Sequence, residues 1–326
     1  MLRAPPDPRD RFATVLHAHD ASPTAGVPTR TGRPGTTIAA RTRAYFLLTK
    51  PRVVELLLVT TVPAMVLAAG RMPSLLLVGA VLLGGALAAG GANTINCWIE
   101  RDRDRLMRRT HHRPLPAGDI RPGRALAFGV GLEAVSFVFL WAMVNLLSAT
   151  LAVSATLFYV FVYTIWLKPR SPQNIVIGGA AGAVPVLVGW ASVTGRLAAP
   201  AWVLFAIVFC WTPPHFWALS LRYRDDYAAA GIPMLPVVKG IAVAARQIVV
   251  YACILLAVTL ALVRVAETGA IYLVAAAGLG VALVWQALRL QREATPERAL
   301  KLFRFSNQYL TLLFAAIAVD TLVRGI

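Results

Sequence analysis

Charge is scarce in this chain, and acids are scarcer still. Only 14% of the 326 residues are charged, and 15 Asp and Glu stand against 32 Lys and Arg, for a formal net charge of +17. A soluble domain of this length carries nearer a quarter charged residues, so that class is excluded. Cysteine is almost missing as well. Cys97, Cys210 and Cys253 lie far apart and form no CxxC pair, which argues against a zinc site or a disulfide framework and leaves them as small residues of an apolar core. Residues 1–40 contain no apolar run, so they do not read as a secretory signal. Rich in Pro, Gly, Thr and Arg, they read as a disordered cytoplasmic tail, and Asp7, Asp10 and Asp20 speak against a mitochondrial presequence.

What is there is hydrophobic sequence. Hydrophobic residues make up 58% of the chain and mean hydropathy is +0.66. Nine apolar segments are predicted at about 44–69, 75–97, 123–146, 148–167, 175–195, 199–221, 244–264, 268–288 and 304–323. Most reach the ~18 residues of a membrane-spanning helix. The fold class is therefore all-α and polytopic, with residues 41–326 forming a nine-helix transmembrane domain. With the amino terminus inside, every Lys and Arg except Arg71, Arg196, Arg264 and Arg324 falls on the cytoplasmic side. The positive-inside rule accounts for this basicity, and nucleic acid is not needed to explain it.

The acids that remain are concentrated. The stretch NCWIERDRDRLMRRTHHR, Asn96 to Arg113, packs three acids and six arginines behind an apolar helix. Asn96, Glu100 and Asp104 stand at i, i+4 and i+8, an arc of ~80° and a rise of ~12 Å along one helical face. Asp102 points roughly the other way. Oxygen donors of this kind suit Mg²⁺, which takes one or two carboxylates and leaves other positions to water and substrate phosphates. Arg109 and Arg113 follow at once, and guanidinium groups match phosphate geometry. A solvated loop whose arginines only set the topology is the alternative this stretch alone leaves open.

A second cluster ends the sixth segment, in WTPPHFWALSLRYRDDYAAAGIPMLPVVKG. His215, Arg222 and Asp226 fall within ~40° of one another if one helix carries all three. Pro213 and Pro214 are expected to kink that helix. Lys239 follows on a turn-rich loop over the same mouth. His215 alone reads as a histidine hydrogen-bonded between helices; beside Asp226 it becomes a site candidate. A third locus, YTIWLKPRSPQNIVIGGAAGA, brings Lys168, Arg170 and Asn174 to the same level. Tyr163 and Trp166 there suit an interfacial aromatic belt, or offer π faces to a cation. His111 and His112 suit an exposed loop, with heme or phosphate contact as the other possibility. Glu55 and Glu133 lie in apolar segments with no role assigned.

These segments, together with LTKPRV at 48–53, resemble the UbiA-type membrane prenyltransferases over about residues 40–323. Within that superfamily they are most similar to its heme-farnesylating branch. The superfamily motif N-x-x-x-D-x-x-x-D corresponds to Asn96, Glu100 and Asp104, with Glu for the first Asp. The second motif corresponds to His215, Arg222 and Asp226, with two of its usual acids absent. The resemblance implies a UbiA-type bundle and transfer of a farnesyl group from farnesyl diphosphate to the vinyl group of heme B, with water addition, giving heme O and diphosphate. It implies Mg²⁺ on Asn96, Glu100, Asp104 and Asp226. Arg109, Arg113, Lys168, Arg170, Asn174, Arg222 and Lys239 would bind substrate, and His215 is a candidate heme contact. It further implies a bacterial plasma membrane rather than a mitochondrial inner membrane, with a downstream heme A synthase or terminal oxidase assembly as partner. The rival readings are a sister enzyme acting on a quinone precursor or chlorin, and a transporter.

Overall fold

A computed structural model describes residues 37–325, apart from the side chains of residues 52, 53 and 55–58. The expected tail lies almost wholly outside the described residues, as does the side chain of Glu55. All regular structure among the described residues is helical. The helices are α1 (Ile38–Leu48), α2 (Pro51–Ala69), α3 (Leu75–Asp104), α4 (Pro122–Met143), α5 (Leu146–Leu167) and α6 (Asn174–Thr194). They continue with α7 (Ala199–Arg222), the short α8 (Arg224–Ala229) and α9 (Leu235–Val238), then α10 (Ile241–Val265), α11 (Ala270–Arg292) and α12 (Pro296–Arg324). Among the described residues, eight helices are long and apolar enough to cross a membrane. The remaining apolar segment is α2, with 19 residues. The chain is a multi-pass membrane protein.

The first expected segment is not one helix. Pro51 has no N–H to donate, and the chain breaks before it, with Lys50 in the left-handed region at φ 52°. α1 buries Ala44 and Leu48 in a small cluster with Cys97, Leu115, Ile120 and Ala125. α7 runs through Pro213 and Pro214 without ending at either. Neither proline can donate to the preceding turn, so two carbonyls of α7 lose their usual partner.

Sequential helices pack as neighbours, α3 on α4, α4 on α5, α5 on α6 and α6 on α7, and later α10 on α7 and α11, and α11 on α12. α12 returns to pack on α7 and α2, and α2 lies against α6. Alternating passes place the α3–α4, α5–α6, α7–α10 and α11–α12 connections, and the start of α2, at one end. The largest core cluster joins α6, α7, α10, α11 and α12 around the fully buried Trp217, Tyr272, Tyr309 and Phe314.

The last turns of α5, Phe158–Leu167, are π-helical. Lys168 N–H donates to Tyr163 O at 2.8 Å, five residues back. Ten successive bulky residues, several β-branched or aromatic, are poor α-formers, and the wider turn re-aims the side chains beyond it. Gly178 on α6 makes room for this segment, since a Cβ there would overlap the Tyr163 ring. Gly178→Ala is therefore expected to cost about 1–3 kcal/mol through overpacking. A thermal unfolding series in detergent checks this, with Gly182→Ala as the neutral control, because nothing lies within 4 Å of a Cβ at Gly182.

Candidate active site

α3 continues to Asp104, so the spacing of its polar residues becomes a real helical face. Asn96, Glu100 and Asp104 are 1%, 5% and 4% exposed. Asp102 points away, its side chain 65% exposed and paired with Arg101 and Arg105. The three buried groups are each held by a cation. Asn96 Oδ1 accepts from Lys50 Nζ at 2.7 Å. Glu100 is ion-paired with Lys168. Asp104 Oδ2 accepts from Arg113 at 2.8 Å. Asn96 Nδ2 donates in turn to Thr164 Oγ1 at 3.1 Å. Thr164, inside the π-helical segment, and Lys168, at its end, thus face Asn96 and Glu100 on α3.

The electrostatics of this cluster are lopsided. Two carboxylates sit among three cations in a setting largely shielded from water. Burial lowers the Lys50 pKa from its ordinary 10.5, and the Arg113 and Lys168 charges add to the effect. Burial also acts to lower Lys168, yet the Glu100 carboxylate more than offsets it, and the pKa of Lys168 is raised. For Arg113 burial is likewise outweighed by Asp104, and the pKa is raised. The surplus of positive charge suits a multiply charged anion. Beside it, Tyr159 and Tyr163 stack at 5.4 Å, and Lys168 Nζ lies 5.8 Å from the Tyr163 ring centre.

The first and second clusters meet at the same mouth. The Arg109 and Arg222 guanidinium groups each lie 5.6 Å from the Tyr223 ring centre. Met107, after α3, belongs to the same buried cluster as Tyr227, Ile232, Met234 and Leu235. The second cluster is nevertheless not one helical face. α7 stops at Arg222, Tyr223 leaves helical geometry at φ −113° and ψ 30°, and Asp226 sits half-buried on α8. His215 is buried in α7, with Nδ1 at 2.7 Å from Ser306 Oγ of α12.

The other candidates are placed differently. Arg170 is exposed and donates to Ile165 O and Trp166 O at the end of α5. Arg222 and Lys239 are exposed. Asn174 is fully buried, donates to Ser171 O at 2.6 Å, and leaves Oδ1 without a partner. Trp166 is 58% exposed, as in an aromatic belt, and His111 and His112 are exposed. Glu133 accepts from Thr156 at 3.0 Å beside an apolar groove between α3, α4 and α5. Lys50, Thr164 and Tyr159 were not among the sequence candidates. The signal for Lys50 was the Lys-Pro pair that opens α2.

The donor set suits a hard divalent cation: one amide and two carboxylate oxygens, buried on one helix face and already engaged as acceptors. Among the described residues, no three His, Cys, Asp or Glu side chains lie close enough to hold an ion by themselves. Asn96, water or substrate oxygen has to complete any such site.

Buried acids and a surplus of cations thus gather at one mouth of a membrane bundle. The model of the UbiA prenyltransferase family matches residues 57–310, and the chain belongs to that family. The protoheme IX farnesyltransferase of Frankia alni is 54% identical over 87% of this chain and 99% of its own length. Among solved structures, digeranylgeranylglyceryl phosphate synthase aligns with a TM-score of 0.72 at 18% identity, covering 87% of this chain and 99% of that one. A UbiA homolog from Archaeoglobus fulgidus bound to DMAPP and Mg²⁺ aligns at 0.61 with 19% identity, covering 84% and 99%.

Proposed function

We propose that this protein transfers a farnesyl group from farnesyl diphosphate to a vinyl group of protoheme IX, with addition of water, giving heme O and diphosphate. The observation that carries the reading is the buried cluster in which Lys50, Lys168 and Arg113 outnumber Glu100 and Asp104. Its chemical class comes from the family and from the relative named protoheme IX farnesyltransferase.

The diphosphate draws Lys50, Lys168 and Arg113 onto its oxygens through charge-assisted hydrogen bonds, with Arg109 beside them. Asn96, Glu100 and Asp104 would then be free to hold Mg²⁺, whereas Asp226 of α8 is not gathered with the two carboxylates of α3 among the described residues and would reach the ion only through water or substrate oxygen. When bound, Mg²⁺ supplies positive charge against the departing diphosphate. The farnesyl C1–O bond breaks and leaves an allylic cation, with the Tyr159 and Tyr163 rings nearby to stabilise it. The apolar bundle keeps water from the cation until it meets the porphyrin. The terminal vinyl carbon then bonds to C1, water adds to the adjacent carbon, and its proton leaves with the diphosphate. Asn174 Oδ1, buried and unpartnered, accepts a hydrogen bond from water or substrate. Exposed Arg222, Arg170 and Lys239 assist binding at the rim.

The active mouth faces the cytoplasm of a bacterial plasma membrane, following the distribution of Lys and Arg. Heme O then passes to an oxidising enzyme such as heme A synthase, or to terminal oxidase assembly. The test is incubation of the purified protein in lipid with heme B, farnesyl diphosphate and Mg²⁺, followed by mass analysis of the porphyrin. Heme O is the expected product. A parallel incubation supplies 4-hydroxybenzoate as the acceptor; its prenylation, with heme unchanged in the first incubation, would instead identify a sister activity.

A further inference from the structure

Buried threonines elsewhere in this bundle bond back to their own helix and go no further. Thr94, Thr212 and Thr321 donate to Gly90 O, Val208 O and Ile317 O, each four residues back. Thr164 is different. Fully buried in the π-helical end of α5, it donates to Tyr159 O, five residues back, at 2.8 Å. It also takes a side-chain donor from another helix, the Asn96 amide of α3 at 3.1 Å. The directions of these bonds follow from what each group can do. Lys50 Nζ, as an ammonium, only donates, so the Asn96 atom 2.7 Å from it is the amide oxygen. The amide nitrogen then faces Thr164 and donates to it. That leaves the single Thr164 proton one acceptor, Tyr159 O.

Of the three candidate donors to a divalent cation, only Asn96 has a wrong way round. Either end of the Glu100 or Asp104 carboxylate is an oxygen, whereas a half-turn of the amide exchanges its acceptor for a donor at almost unchanged shape. Lys50 holds the amide oxygen outward in the structure, but in the proposed reaction Lys50 leaves for the diphosphate. From then on the orientation rests on Thr164. Its proton is engaged by Tyr159 O, so it offers Asn96 only a lone pair, and a turned amide would set oxygen against oxygen. We infer that Thr164 is a positioning residue that keeps the Asn96 amide oxygen, rather than the amide nitrogen, toward the divalent cation. The assignment rests on the diphosphate-and-metal reading above. It also gives the π-helical turn a use, since that turn brings both Thr164 and its own acceptor to the place where α5 meets Asn96.

The test uses the full chain in lipid nanodiscs with farnesyl thiolodiphosphate bound. Mn²⁺, standing in for Mg²⁺, is titrated in and its binding read by electron paramagnetic resonance. Thr164→Val keeps the shape but has neither lone pair nor proton. It is expected to weaken Mn²⁺ binding about tenfold or more, as for a lost outer-shell partner of a metal ligand. Its affinity for the thiolodiphosphate without metal is expected to match wild type, because Lys50, Lys168 and Arg113 are untouched. Heme O formation by the variant is expected to need correspondingly more Mg²⁺ and to recover most of its rate at saturating Mg²⁺. Thr164→Ser restores the hydroxyl and is expected to bind Mn²⁺ as wild type does. Thr156→Val strips a buried hydroxyl from the same helix, but one bonded to Glu133, and is expected to leave Mn²⁺ binding unchanged. Wild-type Mn²⁺ affinity in Thr164→Val, or an equal loss in Thr156→Val, overturns the assignment and leaves the farnesyl-transfer reading intact. If Thr164→Val does not insert, Thr164→Cys decides, since sulfur is only a weak acceptor: Mn²⁺ binding as tight as wild type overturns the assignment, and weakened binding supports it. Wild type that binds the thiolodiphosphate but no Mn²⁺ removes the metal reading and this assignment with it.

Discussion

Asp104→Ala is expected to lower turnover by about 10³-fold or more while the protein still inserts and folds. Asp104 is 4% exposed, and its interactions are Arg113 at 2.8 Å and, through its backbone carbonyl, Thr110 at 2.9 Å. The second survives the substitution. Removing one preorganised group that stabilises departing charge typically costs 10²–10³-fold. Here the same change also strips a carboxylate from the divalent-cation donor set, so the loss is expected at or above the top of that range. Arg113 is 25% exposed and can turn to water, so folding is expected to be little affected. Heme O formation per mole of inserted protein, with Asp102→Ala as control, checks this. Asp102 is exposed, and its loss is expected to change turnover less than about twofold, as for an exposed ion pair. Equal activity in the two variants would remove Asp104 from the site.

Lys168→Met is expected to act on stability as well as turnover. Lys168 and Glu100 form a buried ion pair with side chains 13% and 6% exposed. Taking away one partner of such a pair leaves an uncompensated charge and costs roughly 3–5 kcal/mol. The double variant Glu100→Gln/Lys168→Met is expected to recover most of that loss, because neither charge is then left buried, yet to stay inactive. Unfolding of wild type, both single variants and the double variant in one detergent measures the coupling. If the single changes simply add, the pair does not exist in the folded protein. Recovery of stability together with activity would contradict the catalytic assignment of both residues.

Much of this was legible because it is local. The i, i+4, i+8 spacing of Asn96, Glu100 and Asp104 presupposes only that the helix continues, and α3 does continue to Asp104. Exposure of Asp102 follows from the same count. The partners were less legible. Lys50 meets Asn96 across 46 residues, and Thr164 meets it across 68. Such pairs are set by which helices become neighbours, and no short-range period encodes that. The π-helical end of α5 escaped for a related reason: bulky residues weaken an α-helix without dictating what replaces it. The break at Tyr223 was hidden because RYRDDYAAA contains no glycine or proline, so helical continuation was the natural expectation. Lys50 did leave a trace, in the proline that follows it and forces the chain to turn.

In the proposed reaction Glu100 and Asp104 bind a divalent cation together with the diphosphate. The most direct test is binding of farnesyl thiolodiphosphate, which resists ionisation, to purified protein with and without Mg²⁺. Wild type is expected to bind at least tenfold more tightly with Mg²⁺, and Glu100→Gln and Asp104→Asn to lose that dependence while remaining folded. Binding indifferent to Mg²⁺ in the wild type, or equally Mg²⁺-dependent in both variants, would contradict the account.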